Sequence, residues 1–298
     1  MAQYGLPPII EALQTVHSVQ SSNEDRQRAF HFLEQAKANP EAPSNGYELA
    51  RDKSQPSVAR HYGLSLLEHA IKHSWRGYTP EQALVIREWV VSLAEGISEE
   101  DPVYLRNKFG QLWVEIVKRT WGRTWMNMDE MLFNLFSGNL IQKELCLFIL
   151  VTISEETFKH LDSQDQLASI RSGEIRQSDL SRACIQVFTP ADILASRSSH
   201  SSGGKHDSDH AMNLRFGEEG WLVRLWELVD YCLDHDPEGN AAVRSCAIKT
   251  LEAINSATIW QMTESHIRAR VIQRGCRSLS SGCFPVQKVS SSFLSCTS

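Results

Sequence analysis

No two cysteines of this chain form a CxxC pair. The seven present lie apart, at positions 146, 184, 232, 246, 276, 283 and 296. An odd, dispersed set argues against a disulfide framework and for a reducing compartment. Long hydrophobic runs are missing too. The longest, Leu145 to Ile153, is broken by Thr152 and falls well short of the ~20 residues a spanning helix needs, so no membrane insertion is expected. The first ten residues, MAQYGLPPII, lack the basic stretch and apolar core of a secretory signal. Basic charge is not in excess: 30 Lys and Arg stand against 36 Asp and Glu, a formal net charge of −6, so nucleic acid is not the default partner. There is no Gly-rich phosphate loop, no nucleophile elbow and no zinc-ligand spacing, and hence no expected catalytic, cofactor or metal site. Strand-like alternation is almost absent over the first 190 residues.

What the chain has instead is helical periodicity. At 298 residues and 42% hydrophobic it can build a sizeable core. Pro56 to Trp75 carries Val58, Ala59, Tyr62, Leu66, Leu67, Ala70 and Ile71 at three- and four-residue steps, which gives one apolar helix face. His61, Ser65, Glu68, Lys72 and His73 fall on the other. Similar helices are expected from Pro7 to Val16, from Ser22 to Asn39 with Pro40 and Pro43 as its stop, and briefly from Tyr47 to Arg51. Thr79-Pro80-Glu81-Gln82 is a start signal with a capping box for a helix reaching Gly96, and Asp101-Pro102 starts the next. Trp125–Phe136 and Asn139–Glu155 follow. The second of these is so apolar that both its sides should be covered. Helix pairs of roughly 40–47 residues have the period of HEAT repeats, which stack so that each touches only its neighbours. The expected fold class is therefore all-α, a HEAT-repeat α-solenoid of antiparallel helix pairs. A compact helical bundle is the competing architecture.

Three stretches carry a family resemblance. FLEQAKANPEAPSNGYELARDKSQPSVARHYGLSLLEHAIKHSW (32–75) resembles the N-terminal domain of the importin-β family. RNKFGQLWVEIVKRTWGRTW (106–125) resembles the third-repeat signature of the exportin branch, and KTLEAINSATIWQMTESHI (249–267) resembles the exportin-5 group and its fungal relatives. Gly122 departs from the pattern, since these receptors usually have proline there, and a loosened turn is expected. The resemblance implies a right-handed superhelix of which this chain is the N-terminal fraction. It implies binding of the small GTPase Ran in its GTP state through inner helices of the first repeats, contact with nucleoporins, and protein or small structured RNA cargo on the concave surface. It also implies shuttling between nucleus and cytoplasm, and no enzymatic role. The alternatives are a helical-repeat scaffold without a transport role and an RNA-binding module independent of the GTPase.

In each pair the second helix should line the concave face: Ser22–Asn39, Pro56–Ser74, Asp101–Thr120 and Asn139–Ser154. On these, Arg60, Lys72, Arg106 and Lys108 are the candidates for Ran contact. The competing reading is that such charges are solvated or pair within the array. Trp89 and Trp113 lie on apolar stripes and should pack in the core, whereas Trp121 and Trp125, near a turn, should be more open, with packing still the leading reading. His69 and His73 have metal-like spacing without a third ligand. His200, His206 and His210 with Asp207 and Asp209 sit in a flexible Ser/Gly setting that does not suit a tuned metal site.

The expected organisation is 1–195 for the importin-β N-terminal domain and the exportin-type repeats, 196–213 for a disordered Ser/Gly loop, and 214–266 for further HEAT helices. The remainder, 267–298, has five basic residues, no acidic ones, three cysteines and eight serines. It is expected to be an aberrant or disordered tail, the product of a retained intron or truncated gene model. Apolar surface should then be exposed around Cys246 to Ile259, where the last repeat lacks a neighbour.

Overall fold

A computed structural model describes residues 4–158, 163–192, 194, 214–235 and 240–261. Among the described residues there are twelve helices and no strand. In order they are α1 (Leu6–His17), α2 (Asn23–Ala36), α3 (Ala42–Arg51), α4 (Ser57–His69), α5 (Pro80–Glu95) and α6 (Val103–Thr120). After these come α7 (Met128–Ser137), α8 (Leu140–Phe158), α9 (Ser163–Arg171), α10 (Gln177–Phe188), α11 (Gly220–Asp234) and α12 (Ala241–Gln261).

The helix starts follow local chemistry. Ser22 caps α2 by accepting from the backbone N–H of Asp25 at 3.1 Å, with Glu24 and Asp25 in the dipole-favoured first turn. Thr79 and Gln82 form the expected capping box on α5. Pro40 and Pro43 act differently from expectation. Helix α2 already ends at Ala36, and Pro43 sits in the first turn of α3, where its missing N–H leaves no bond unmade. The short helix is accordingly ten residues long and starts at Ala42. Pro56 is the N-cap of α4. That helix keeps α geometry only to His69, then widens into a π turn over Ala70–Ser74 and tightens into a 3₁₀ turn over Trp75–Gly77.

The chain divides into two compact units. The first comprises residues 1–125, 134–152 and 160–177. Within it α1 packs on α2 through Ile9, Leu13, Ala29 and Leu33. Helices α3 and α4 cross most closely where two glycines face each other. A Cβ on Gly46 would stand 2.6 Å from the Gly63 carbonyl oxygen, and one on Gly63 would stand 2.7 Å from that of Gly46. Backbones approach so closely only where neither side carries a Cβ. Helix α5 pairs with α6 in turn, while α3 packs on α5 and α4 on α6. The second helices thus form one layer and the first helices another. Tyr62 of α4 ties this layer back to α2 by donating to the Leu33 carbonyl at 2.6 Å, and its burial pushes the phenol upward from the usual range.

Every residue from Leu140 to Thr152 is buried or half-buried, as the apolar composition of α8 led us to expect. The tryptophans need one correction. Trp113 and Trp125 are both buried, 5.2 Å apart, but Trp121 is buried as well, so neither residue of the turn is open. Trp89 is half-buried and stacks on Tyr47 at 5.0 Å. The turn holding Trp121 and Trp125 is tight rather than loose. The N–H groups of Arg123, Thr124 and Trp125 all donate to the Thr120 carbonyl, and Gly122 adopts φ +71°. Proline is locked near −65° and cannot take that conformation.

The second unit comprises residues 126–133, 153–159 and 178–298. Helices α11 and α12 pack as an antiparallel pair's worth of core, with Trp221, Leu222, Leu225, Cys246, Ile254 and Ala257 buried. Asp129 anchors the approach to α11. Its carboxylate accepts from Trp221 Nε1 at 2.5 Å and from the Phe216 backbone N–H at 2.7 Å. On α12 the large apolar side chain left exposed among the described side chains is Ile248, while Cys246, Ala253, Ile254 and Ala257 are covered. Among the side chains described from Cys246 to Thr258, the expected exposed apolar face is thus represented by Ile248. The Ser/Gly loop at 196–213, its histidines and aspartates, and 267–298 lie outside the described residues. Among the described residues no helix is long and apolar enough to cross a membrane, and no group of His, Cys, Asp or Glu could hold a metal ion.

Candidate functional site: the polar face of the second helices

The layer formed by α4 and α6 carries a ladder of charges. Glu68 on α4 is its first hub and accepts from Lys72 at 2.8 Å and from Lys108 of α6. Burial pushes its carboxyl up, but the hydrogen bonds and charges of the two lysines outweigh that and hold it below the usual carboxylate range. Glu115 on α6 is the second hub, with Arg119 at 2.7 Å, Lys118 at 3.3 Å and Lys72 at 3.8 Å. It too is held low, its cations overcoming the effect of burial. The ladder ends at Glu174, which takes Lys118 and Arg119 at 3.4 Å each. To one side, Arg106 reaches Glu144 of α8 at 3.5 Å.

Alternating charges at this spacing give a face of fixed polar groups rather than loose side chains. Each cation is fixed by one or more carboxylates, so the face is pre-ordered and loses little side-chain freedom on meeting a partner. His61 lies beside it. Burial and the Lys108 charge hold its imidazole below the usual range, which keeps it neutral near pH 7.

The four sequence candidates end in different settings. Lys72, on the π turn, is the most open, with 40% of its side chain exposed. Arg106 and Lys108 are mostly covered, at 16% and 12%, and are engaged in the ladder. Arg60 is inside the stack: its guanidinium pairs with buried Asp101 at 2.5 Å and donates through Nε to the Ala50 carbonyl at 2.9 Å. Arg60 therefore joins α3, α4 and the start of α6. Lys72, Lys108 and Arg106 lie along one layer, and Arg60 does not share their face. A signal for this lies in the sequence, because Arg60 stands three, four, seven and eleven residues from Gly63, Leu64, Leu67 and Ile71, all buried. The pairing of His69 and His73 is a ring contact at 4.6 Å. Sequence reasoning overlooked the two glutamate hubs and the contribution of Glu174, which comes from more than 50 residues downstream.

Comparison with known proteins bears on this geometry. The model of the importin-β N-terminal domain family matches residues 29–94, which run from within α2 almost to the end of α5. The model of the exportin 1-like protein family matches residues 102–189, from the cap of α6 through α10. The chain belongs to the importin-β family of nuclear transport receptors, exportin branch. Its antiparallel pairs are HEAT repeats, and its fold class is the all-α solenoid of that family. Protein MSN5 of Saccharomyces cerevisiae is 29% identical over 94% of this chain and 22% of its own length. Exportin-5 of Homo sapiens is 30% identical over 52% of this chain and 13% of its own, and exportin-1 of Drosophila melanogaster is 28% identical over 65% and 18%. The chain thus spans only 13% to 22% of the length of these curated relatives.

Proposed function

We propose that this exportin-type karyopherin binds the small GTPase Ran in its GTP state on the polar face of its second helices. In this reading it carries protein cargo, or a small structured RNA, through the nuclear pore, meeting nucleoporins and shuttling between nucleus and cytoplasm. It is a transport receptor and not an enzyme. The observation that carries the proposal is that the two helices building the charge ladder both fall in matched family domains, α4 in the importin-β N-terminal domain and α6 in the exportin 1-like one. Lys72 is the first contact in this reading, because its side chain is open and already oriented by Glu68. Arg106 and Lys108 act at the same face. Arg60 acts as a positioning residue that sets α4 against α6 through Asp101.

The test is capture of the chain by Ran loaded with GTP or with GDP, for wild type and Lys72→Glu. Retention by the GTP form alone, weakened by the substitution, supports the proposal. A second reading has its own observation. All four cations have partners inside the array, as a scaffold with no GTPase would require. Absence of binding to either nucleotide form favours that scaffold.

A further inference from the structure

A second cluster of charge, which shares only Arg119 and Glu174 with the end of the ladder, lies in the first unit. A cavity of about 840 Å³ opens between the turn that precedes α5, the turn that follows α6 and the segment after α9. Five arginines line it: Arg76, Arg87, Arg119, Arg123 and Arg176, with Glu174 the one acidic residue among the lining groups. The walls are fixed to one another. Arg76 donates to the Ile170 carbonyl at 2.5 Å, and Arg87 donates to that of Thr124 at 3.0 Å while lying over the Trp125 ring. The Ile175 N–H donates to the Lys118 carbonyl at 2.8 Å. These contacts bring arginines from three distant parts of the sequence to one cavity.

Two observations mark it as a site for a ligand rather than a chance meeting of charges. Arg119 has a side chain only 1% exposed, and its buried Nε has no hydrogen-bond partner among the described residues. A buried guanidinium donor left unmet is costly, so the wall of the cavity at Arg119 is incompletely satisfied within the chain. Arg123 and Arg176 are exposed at the rim, with no acidic partner among the described residues. Like charges gathered without counter-ions raise the potential of a concave site and draw an anion into it.

We propose that this cavity binds a small molecule carrying several phosphoryl groups close together. Charge matching selects that class. Glu174 is taken up by Arg119 and Lys118, so four guanidinium groups stay uncompensated. A single phosphorylated side chain brings only about −1.5 to −2 at neutral pH and would leave half of them unmatched. An extended RNA strand spreads its charge over a length that a cavity of this size cannot enclose, and the net charge of −6 offers no wider basic track for the rest. A compact polyphosphate concentrates its charge where the arginines converge, and guanidinium forks are suited to bidentate grip on phosphoryl oxygens. The cavity lies within the size range of small-molecule sites.

The inference is independent of the Ran proposal and is tested separately, by calorimetry on the whole chain. The probes are myo-inositol hexakisphosphate, ATP without magnesium, inorganic phosphate, a phosphoserine peptide and a single-stranded RNA. Saturable, salt-sensitive binding of myo-inositol hexakisphosphate or ATP supports it, and the stronger of the two tells whether a phosphorylated ring or a nucleotide is the better fit. The Arg123→Glu/Arg176→Glu double variant alters only rim residues, so it should fold as wild type by circular dichroism. It should bind the polyphosphate at least about tenfold more weakly. Unchanged affinity in that variant overturns the proposal. So does binding of the phosphopeptide or the RNA more tightly than either polyphosphate, or binding of inorganic phosphate as tightly.

Discussion

Asp101 in the first unit and Asp129 in the second are each 2% exposed, yet their carboxyls shift in opposite directions. Burial pushes both upward. At Asp101 the direct bond from Arg60 and the Ser98 backbone N–H outweigh burial and hold the group below its ordinary 3.8. At Asp129 the direct donors are neutral, the Phe216 N–H and the Trp221 indole. Arg224 and Arg215 act only at longer range, and Arg224 instead lies over the rings of Phe133, Trp221 and Phe216. Asp129 also lies under more protein, so burial prevails and its carboxyl is raised. Equal exposure thus does not fix the sign of the shift. A full cation in direct contact does, and the two units differ in whether they supply one.

The largest effect should come from removing that cation. Arg60→Ala strands the Asp101 carboxylate in the stack and leaves the Ala50 carbonyl without its side-chain donor. Breaking a buried pair from one side costs about 3–5 kcal/mol, and urea unfolding should read a loss of that size. A loss below about 1 kcal/mol would mean that water reaches Asp101 and that the contrast with Asp129 is one of depth alone. The matching change in the second unit is Asp129→Ala. It leaves two buried N–H donors unmet, at about 1–3 kcal/mol each, and relieves a buried carboxylate in part. We expect a net loss of about 2 kcal/mol, smaller than for Arg60, with a change in the near-ultraviolet signal of Trp221.

A pH titration separates the units by sign. Asp101, Glu68 and Glu115 are held low in the folded chain, so their stabilisation is fully present above their unfolded values of 3.8 and 4.5 and is lost as pH falls through the folded ones. Asp129 is raised, so its contribution is full below 3.8 and is lost as pH rises through its folded value. Hydrogen exchange, corrected for intrinsic rates, should show α4 and α6 losing protection below about pH 4.5. In Asp129→Asn the segment around Phe216 and Trp221 should lose its own pH dependence above 3.8. The same acid profile in wild type and Asp129→Asn around Trp221 would remove the contrast.

Much of the fold was legible because it is local. Helix order and the Thr79–Gln82 box depend on residues three or four apart, and so does the buried stripe of α8. What stayed hidden depends on distance in sequence. Asp101 is 41 residues from Arg60, and only their contact shows that Arg60 belongs inside. The Gly46–Gly63 crossing is invisible to a hydrophobic pattern, which counts glycine as neither face. The π turn at Ala70–Ser74 carries Lys72, yet its residues have ordinary helical periodicity. The arginine cavity draws on three segments spread over about a hundred residues, none of which is basic enough to stand out by itself.

The smallest predicted effect tests the tight turn after α6. The family resemblance suggested proline at position 122, and a loosened turn where glycine replaces it. Gly122 instead takes a positive φ, and the three following N–H groups converge on one carbonyl. Alanine disfavours that conformation, so Gly122→Ala should cost about 1 kcal/mol without moving the buried indoles. Gly122→Pro is the sharper variant: its ring forbids the angle altogether, so the turn from Trp121 to Trp125 has to be rebuilt. Tryptophan fluorescence should then change together with stability. If Gly122→Pro folds with unchanged stability and an unchanged spectrum, Trp113 and Trp125 are held by helix packing alone, and the turn contributes nothing to placing them.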